Sequence, residues 1–109
     1  MNDQSSPSTY STLAELDRLV HEPARLAVMA LLYVVDSANF TFVMNQTGLT
    51  WGNLSTHISK LEAGGYVEVE KSFVGKRPNT DLRLTPEGRA AFSEYVTKMK
   101  QVLQEFPGQ

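Results

Sequence analysis

Positions 50–60 of the chain read TWGNLSTHISK. Thr50, Asn53, Ser55, Thr56 and Ser59 bring short hydroxyl and amide groups, Lys60 brings a positive charge, and Gly52 leaves bare backbone. Ser, Thr and Asn are mediocre helix formers, because their side chains compete for backbone hydrogen bonds. Yet Trp51, Leu54, Ile58 and Leu61 recur here at helical spacing. On a helical wheel these four fall on one side, as anchors to a core, and Gly52, Asn53, Thr56, Ser59 and Lys60 fall on the other. The chemistry open to such a face is hydrogen bonding across a surface. Taken alone, it reads as a solvated helix face.

Catalytic chemistry finds no support. His57 borders the apolar side of this helix and reads as a structural residue. His21 is the only other histidine, and no carboxylate cluster joins the two at metal spacing, so no metal site is expected. No Ser/His/Asp spacing and no glycine-rich phosphate loop after a strand is present, so neither an enzyme nor a cofactor is expected. The absence of cysteine excludes disulfides, thiolate metal sites and a cysteine nucleophile. Trp51, Phe73, Phe92 and Tyr95 read as core rather than as a stacking platform.

The elements that must carry the polar face are legible around it. A length of 109 residues with 41% hydrophobic and 20% charged residues suits one small globular domain. Residues 1–11, MNDQSSPSTYS, read as a disordered leader without a secretory h-region. No apolar run approaches the roughly 20 residues of a membrane span, so a cytoplasmic address is expected by elimination. Residues 12–20 predict a helix capped by Ser11 or Thr12, with Thr12 and Glu15 at capping-box spacing. PARLAVMALLYVVD is apolar on nearly every face and predicts a central helix buried all round, covered by other elements or by a partner chain. SANFTF reads as a short extended or turn segment. Residues 41–48 predict a short helix closed by Gly48, and Thr50 caps the next one, about 50–63, closed by Gly64 or Gly65. Two helices joined by a tight glycine-containing turn are the sequence form of helix-turn-helix. Alternation over 66–74 and 81–85 predicts an antiparallel hairpin, with VGKRPNT as its charged turn. Thr85, Pro86 and the apolar spacing of Phe92, Tyr95, Val96, Met99, Val102 and Leu103 predict a last helix.

This order is that of a winged helix-turn-helix, an α+β fold, mainly α, over 12–106 with terminal helices beyond the core. The stretch TWGNLSTHISKLEAGGYVEVEKSFVGKRPNTDLRLTPEGRAAF resembles small winged-helix transcriptional regulators of the MarR/ArsR-like superfamily, in their compact branch. The likeness covers roughly residues 20–95. Gly48, Asn53, Leu54, His57, Leu61, Gly65, Tyr66, Leu84, Thr85, Gly88 and Arg89 are specific as a set, though none is alone. The resemblance implies a DNA-binding role, pairing of protomers through the terminal helices, and room for a small-molecule effector of unknown identity.

In that frame the polar face becomes a recognition helix for the major groove of double-stranded DNA. Asn53 would meet an adenine edge, Ser55 and Thr56 bases or phosphates, and Lys60 the phosphate backbone, with Ser59 on the same DNA-facing side. Gly52 would allow close approach, and the helix N-terminus at Thr50 favours phosphate. The hairpin, about 66–85, would be the wing, with Lys76 and Arg77 at its tip on the flanking backbone or in the minor groove. Glu68 and Glu70 would repel phosphate if they faced the duplex. Leu13, Leu16, Leu19 and Val20, with Tyr95, Val96, Met99, Val102, Leu103 and Phe106, exceed what a small core needs, so a homodimer is expected through them.

Charge is the counterweight. The net charge is −2, with two cations against five carboxylates in residues 1–50 and eight against six in residues 51–100. That balance keeps open the alternative of a winged-helix protein–protein module without DNA binding.

Overall fold

The computed structural model describes residues 8–106, so the expected leader lies outside it as far as residue 7. Helix α1 (Thr9–Ala14) already begins within the remainder of that leader, capped by Ser8, whose Oγ accepts the Ser11 N–H at 3.2 Å. The helix expected over 12–20 is not what forms. Thr12 lies inside α1 and Glu15 is its C-cap residue, so there is no capping box between them. Asp17 diverts the chain: its Oδ1 accepts the N–H groups of Leu19 at 2.9 Å and Val20 at 3.4 Å. Local side-chain bonds of this kind compete with helix. Leu16 and Val20 still reach the core, from a turn.

Glu22 caps α2 (Pro23–Val34) by accepting the Arg25 N–H at 2.7 Å, and Pro23 fills the first turn, where a missing N–H removes nothing. Val28, Met29 and Leu32 are buried, but Tyr33 and Val34 are exposed. So within the single chain α2 crosses one side of the core, and its Tyr33–Val34 end is left uncovered by the chain's own elements. Arg89 closes its far end, donating to the carbonyls of Tyr33 at 3.1 Å and of Leu32 and Val35 at 3.4 Å.

The SANFTF segment supplies a third strand. β1 (Ala38–Asn39) pairs antiparallel with β3 (Arg77–Leu84), which pairs in turn with β2 (Val67–Val74), giving a sheet of order β1-β3-β2. Asn39 then caps α3 (Phe40–Thr47), accepting the Thr41 N–H at 2.8 Å. Gly48 ends α3 at φ +75°, a left-handed conformation that favours glycine. Thr50 caps α4 (Trp51–Ala63), its Oγ accepting the Asn53 N–H at 3.2 Å.

The hairpin is longer and tighter than expected. β2 (Val67–Val74) and β3 (Arg77–Leu84) pair without interruption from Val67↔Leu84 to Val74↔Arg77. Only Gly75 and Lys76 form the turn, and Gly75 takes φ +65°, as the first position of a type II′ hairpin requires. Pro78 therefore sits in a strand, opposite Phe73. It is tolerated because β1 reaches only Asp81 and Leu82, leaving β3 unpaired on that side at Pro78. Last comes α5 (Pro86–Gln104), capped by Thr85, whose Oγ accepts the Gly88 N–H at 2.9 Å. The core gathers Val20, Val28, Met29, Leu32, Val43, Leu54, Leu61 and Leu82, all fully buried. Among the described residues no helix is long and apolar enough to cross a membrane.

Candidate nucleic-acid interface

Burial fixes the rotation of α4. Leu54, Ile58 and Leu61 are buried, and their spacing turns the rest of the helix outward. Thr50, Gly52, Asn53, Ser55, Thr56, Ser59 and Lys60 are all exposed, as one polar ridge. The space beside Gly52 is open: a Cβ built there meets nothing within 4 Å. Thr50 is partly committed, because its hydroxyl caps the helix.

His57 is the polar group of α4 that turns inward. Its Nδ1 lies 3.3 Å from Nη1 of Arg25 and 3.9 Å from the Glu22 carboxylate. Arg25 also donates from Nε to the Leu19 carbonyl at 2.7 Å and from Nη2 to the Arg18 carbonyl at 3.3 Å. The Arg25 N–H bond holds the Glu22 carboxyl below its ordinary range, helped by the nearby charges of His57 and Arg25. This cluster ties the back of α4 to the start of α2, a structural role for His57.

The wing has two chemically distinct faces. Side chains alternate along strands, so Val67, Val69, Lys71 and Phe73 share one face with their partners Leu84, Leu82, Thr80 and Pro78. That face continues the core surface toward α4. A groove of ≈ 200 Å³ lies between it and the helix, lined among others by Trp51, Ser55, Ser59, Lys71 and Thr80. Glu62 lines it too. Glu68 and Glu70 occupy the opposite face and pair with Arg83, at 3.6 and 3.0 Å. Their expected repulsion is thus turned away from α4 and partly neutralised. Lys76 and Arg77 stand exposed at the tip, Lys76 in the turn and Arg77 at the first position of β3.

Two residues belong to this surface that the sequence did not assign to it. Lys71 shares a groove with Ser55 and Ser59; its signal was the period-two step from Val69. Trp51, read as a core anchor, is 62% exposed and rests on Phe40, with ring centroids 4.4 Å apart. Phe73, also read as core, is 73% exposed, because the sheet runs on past the helix that would cover it.

The residues expected to pair two protomers divide. Leu16, Tyr95 and Val102 are buried within the single chain, and Leu19, Val96 and Met99 are half-buried. Val20 is buried as well, and Leu13, Leu103 and Phe106 are exposed. Tyr95 Oη lies 2.7 Å from His21 Nδ1, and burial pushes its hydroxyl pKa up. Tyr66 donates to the Asp17 carboxylate, and this bond chiefly pushes its pKa to about 12. A cavity of ≈ 320 Å³ opens beside this pair, against Glu94 and Lys98 of α5. Among the described residues no group of three or more His, Asp or Glu is placed to hold a metal ion.

Known proteins share the fold. Residues 24–103 match the family described as winged helix DNA-binding domain. The chain is 34% identical over 85 residues to the uncharacterized protein MJ0432 of Methanocaldococcus jannaschii, covering 78% of this chain and 92% of that one. The transcriptional regulator homologue from Pyrococcus horikoshii superposes with a TM-score of 0.81 at 29% identity, over 87% of this chain and 96% of its own. A MarR-family transcriptional regulator from Silicibacter pomeroyi shares the fold, with a TM-score of 0.66 at 22% identity, over 89% of this chain and 64% of its own. With α4 and the wing disposed as described, the chain belongs to the winged helix DNA-binding domain family and has the fold of the MarR-like transcriptional regulators.

Proposed function

We propose that the protein is a sequence-specific regulator that binds double-stranded DNA as a homodimer, with α4 in the major groove and the wing on the flanking backbone or minor groove. The observation that carries the reading is the exposed ridge of Gly52, Asn53, Ser55, Thr56, Ser59 and Lys60 beside Lys71, with Glu68 and Glu70 on the far face of the wing. A short polar ridge of this kind suits base edges, and the cations suit phosphate. A twofold dimer would set two such helices on half-sites about 34–36 Å apart. Leu13 and Leu103, with Tyr10 of α1 and Phe106 just past α5, are exposed apolar residues at the terminal helices that would be offered to the second protomer. A small-molecule effector belongs to the same reading, and the cavity beside Asp17 and Tyr66 joins the turn before α2 to α5. A cytoplasmic address goes with a DNA-binding role.

The competing reading, a protein–protein module, draws on the net charge of −2 and on Glu68, Glu70 and Asp81 along the outer wing. Binding-site selection from random duplexes, followed by gel shifts at several salt concentrations, separates the two. A regulator selects a two-fold site and loses affinity steeply with salt. Failure to retain any duplex at low salt favours the protein–protein module.

A further inference from the structure

Trp51 departs from the rest of its row. Leu54, Ile58 and Leu61 are at most 5% exposed, whereas Trp51, at the first position of the same helix, is 62% exposed. Its ring is not loose. It packs on Phe40 at 4.4 Å between centroids, and Phe40 is itself buried at the start of α3. One face of the indole is therefore supported, and the remainder looks out beside Thr50, Gly52 and Ser55. The N-terminal residues of a recognition helix are those that meet base edges. The major-groove edges of the bases offer donors and acceptors and one prominent apolar group, the C5-methyl of thymine.

Resting on the DNA-binding reading above, we infer that Trp51 is a specificity residue that reads a thymine methyl group in the major groove. Phe40 acts as its positioning residue, holding the indole toward the groove shared with Lys71. The neighbouring polar ridge aligns the duplex by hydrogen bonds, and the indole adds an apolar contact that only a thymine completes. Cytosine at the same place lacks the methyl group, so the contact discriminates between bases without a hydrogen bond.

The chain has a single tryptophan, so its emission reports this residue alone. Binding of a dye-labelled duplex carrying the selected site is followed by anisotropy, and tryptophan emission is followed in parallel. Emission should shift or quench in proportion to occupancy. Replacing each thymine of the site by deoxyuridine, which removes only the methyl group, should weaken wild-type binding at one position per half-site by roughly fourfold, the worth of one buried methyl group. Trp51→Ala should bind the two duplexes equally, and Trp51→Phe should keep part of the preference. Unchanged emission at full occupancy overturns the inference while leaving DNA binding intact. So does a changed emission without any thymine-to-deoxyuridine difference, since the indole would then touch only backbone. No anisotropy change with any duplex overturns the DNA-binding reading and this inference together.

Discussion

A Cβ on Gly88 would stand 2.1 Å from the carbonyl oxygen of Tyr66. That oxygen is already engaged, accepting the Thr85 N–H at 3.0 Å. The first turn of α5 thus lies directly on the residue that leads into the wing, and only a residue without a side chain permits the approach. Gly88→Ala should cost about 1–3 kcal/mol, because backbone must move on both sides. Gly64→Ala is the contrast. Its Cβ would meet Leu19 Cδ2 at 2.2 Å, the far end of a flexible side chain. It should change stability by less than about 1 kcal/mol. Urea melts of both variants check the pair, and equal losses would contradict the contact.

Acid should loosen the back of α4. The carboxyl of Glu22 is held below its ordinary 4.5, chiefly by the Arg25 N–H. A carboxyl with a depressed folded-state pKa stabilises above its unfolded pKa and loses that contribution as pH falls through the folded value. Stability should therefore fall as pH drops below 4.5, and Glu22→Gln should show a shallower fall over that window. Thermal melts from neutral pH downward test this. Parallel curves for the two proteins would remove Glu22 from the acid transition.

Legibility in the sequence followed from how local the determinants were. Helices α3, α4 and α5 were readable because Gly48, Thr50, Thr85 and Pro86 mark their ends by chemistry that acts within a few residues. The apolar spacing over 12–20 points to a helix that does not form, because spacing says nothing of Asp17 capturing the Leu19 and Val20 amides. Residues 77–80 carry turn composition, yet they form strand because the hairpin register extends to Val74↔Arg77. Trp51 and Phe73 were assigned to the core because a periodic pattern cannot show where the covering element ends. The polar ridge was visible as a list of residues. Its alliance with Lys71, and the turning away of Glu68 and Glu70, depend on which sheet face meets α4.

Leu103 and Val102 are neighbours on α5 with opposite fates: Leu103 is 63% exposed and Val102 is buried. Leu103→Glu should leave the fold intact and shift a dimer toward monomer. Two copies of a leucine buried across a twofold interface are worth roughly 3–6 kcal/mol. Val102→Glu should instead lower the melting temperature sharply, since it places a charge at a buried position. Sedimentation at micromolar concentration gives the first result. A monomeric wild type at that concentration would rule out this interface.

Salt dependence should separate the two faces of the wing. Lys71→Ala should reduce the slope of log K against log salt by about 0.9, one phosphate contact. Lys76→Ala and Arg77→Ala should each do the same if the tip reaches the backbone. Arg83→Ala should leave the slope alone, because its partners are Glu68 and Glu70 on the far face. An unchanged slope in Lys71→Ala would empty the groove between α4 and the wing of DNA.

The polar ridge itself gives the sharpest division. Asn53 and Thr56 are exposed, while Leu54 is fully buried between them. The Asn53 side chain is no part of the helix cap, since the Thr50 hydroxyl accepts from its backbone N–H. Asn53→Ala and Thr56→Ala should therefore melt normally and relax specificity at particular base pairs, each by about 1–3 kcal/mol where a good base contact is lost. Leu54→Ala should do the reverse. It leaves a cavity in the core at a cost of about 2–5 kcal/mol, and whatever remains folded should still select the wild-type site, because the ridge is untouched. Melting curves and binding-site selection on the three variants decide it. Should Asn53→Ala and Thr56→Ala select the same site with the same affinity, the ridge is only solvated, and the outer acidic face of the wing becomes the surface to test next.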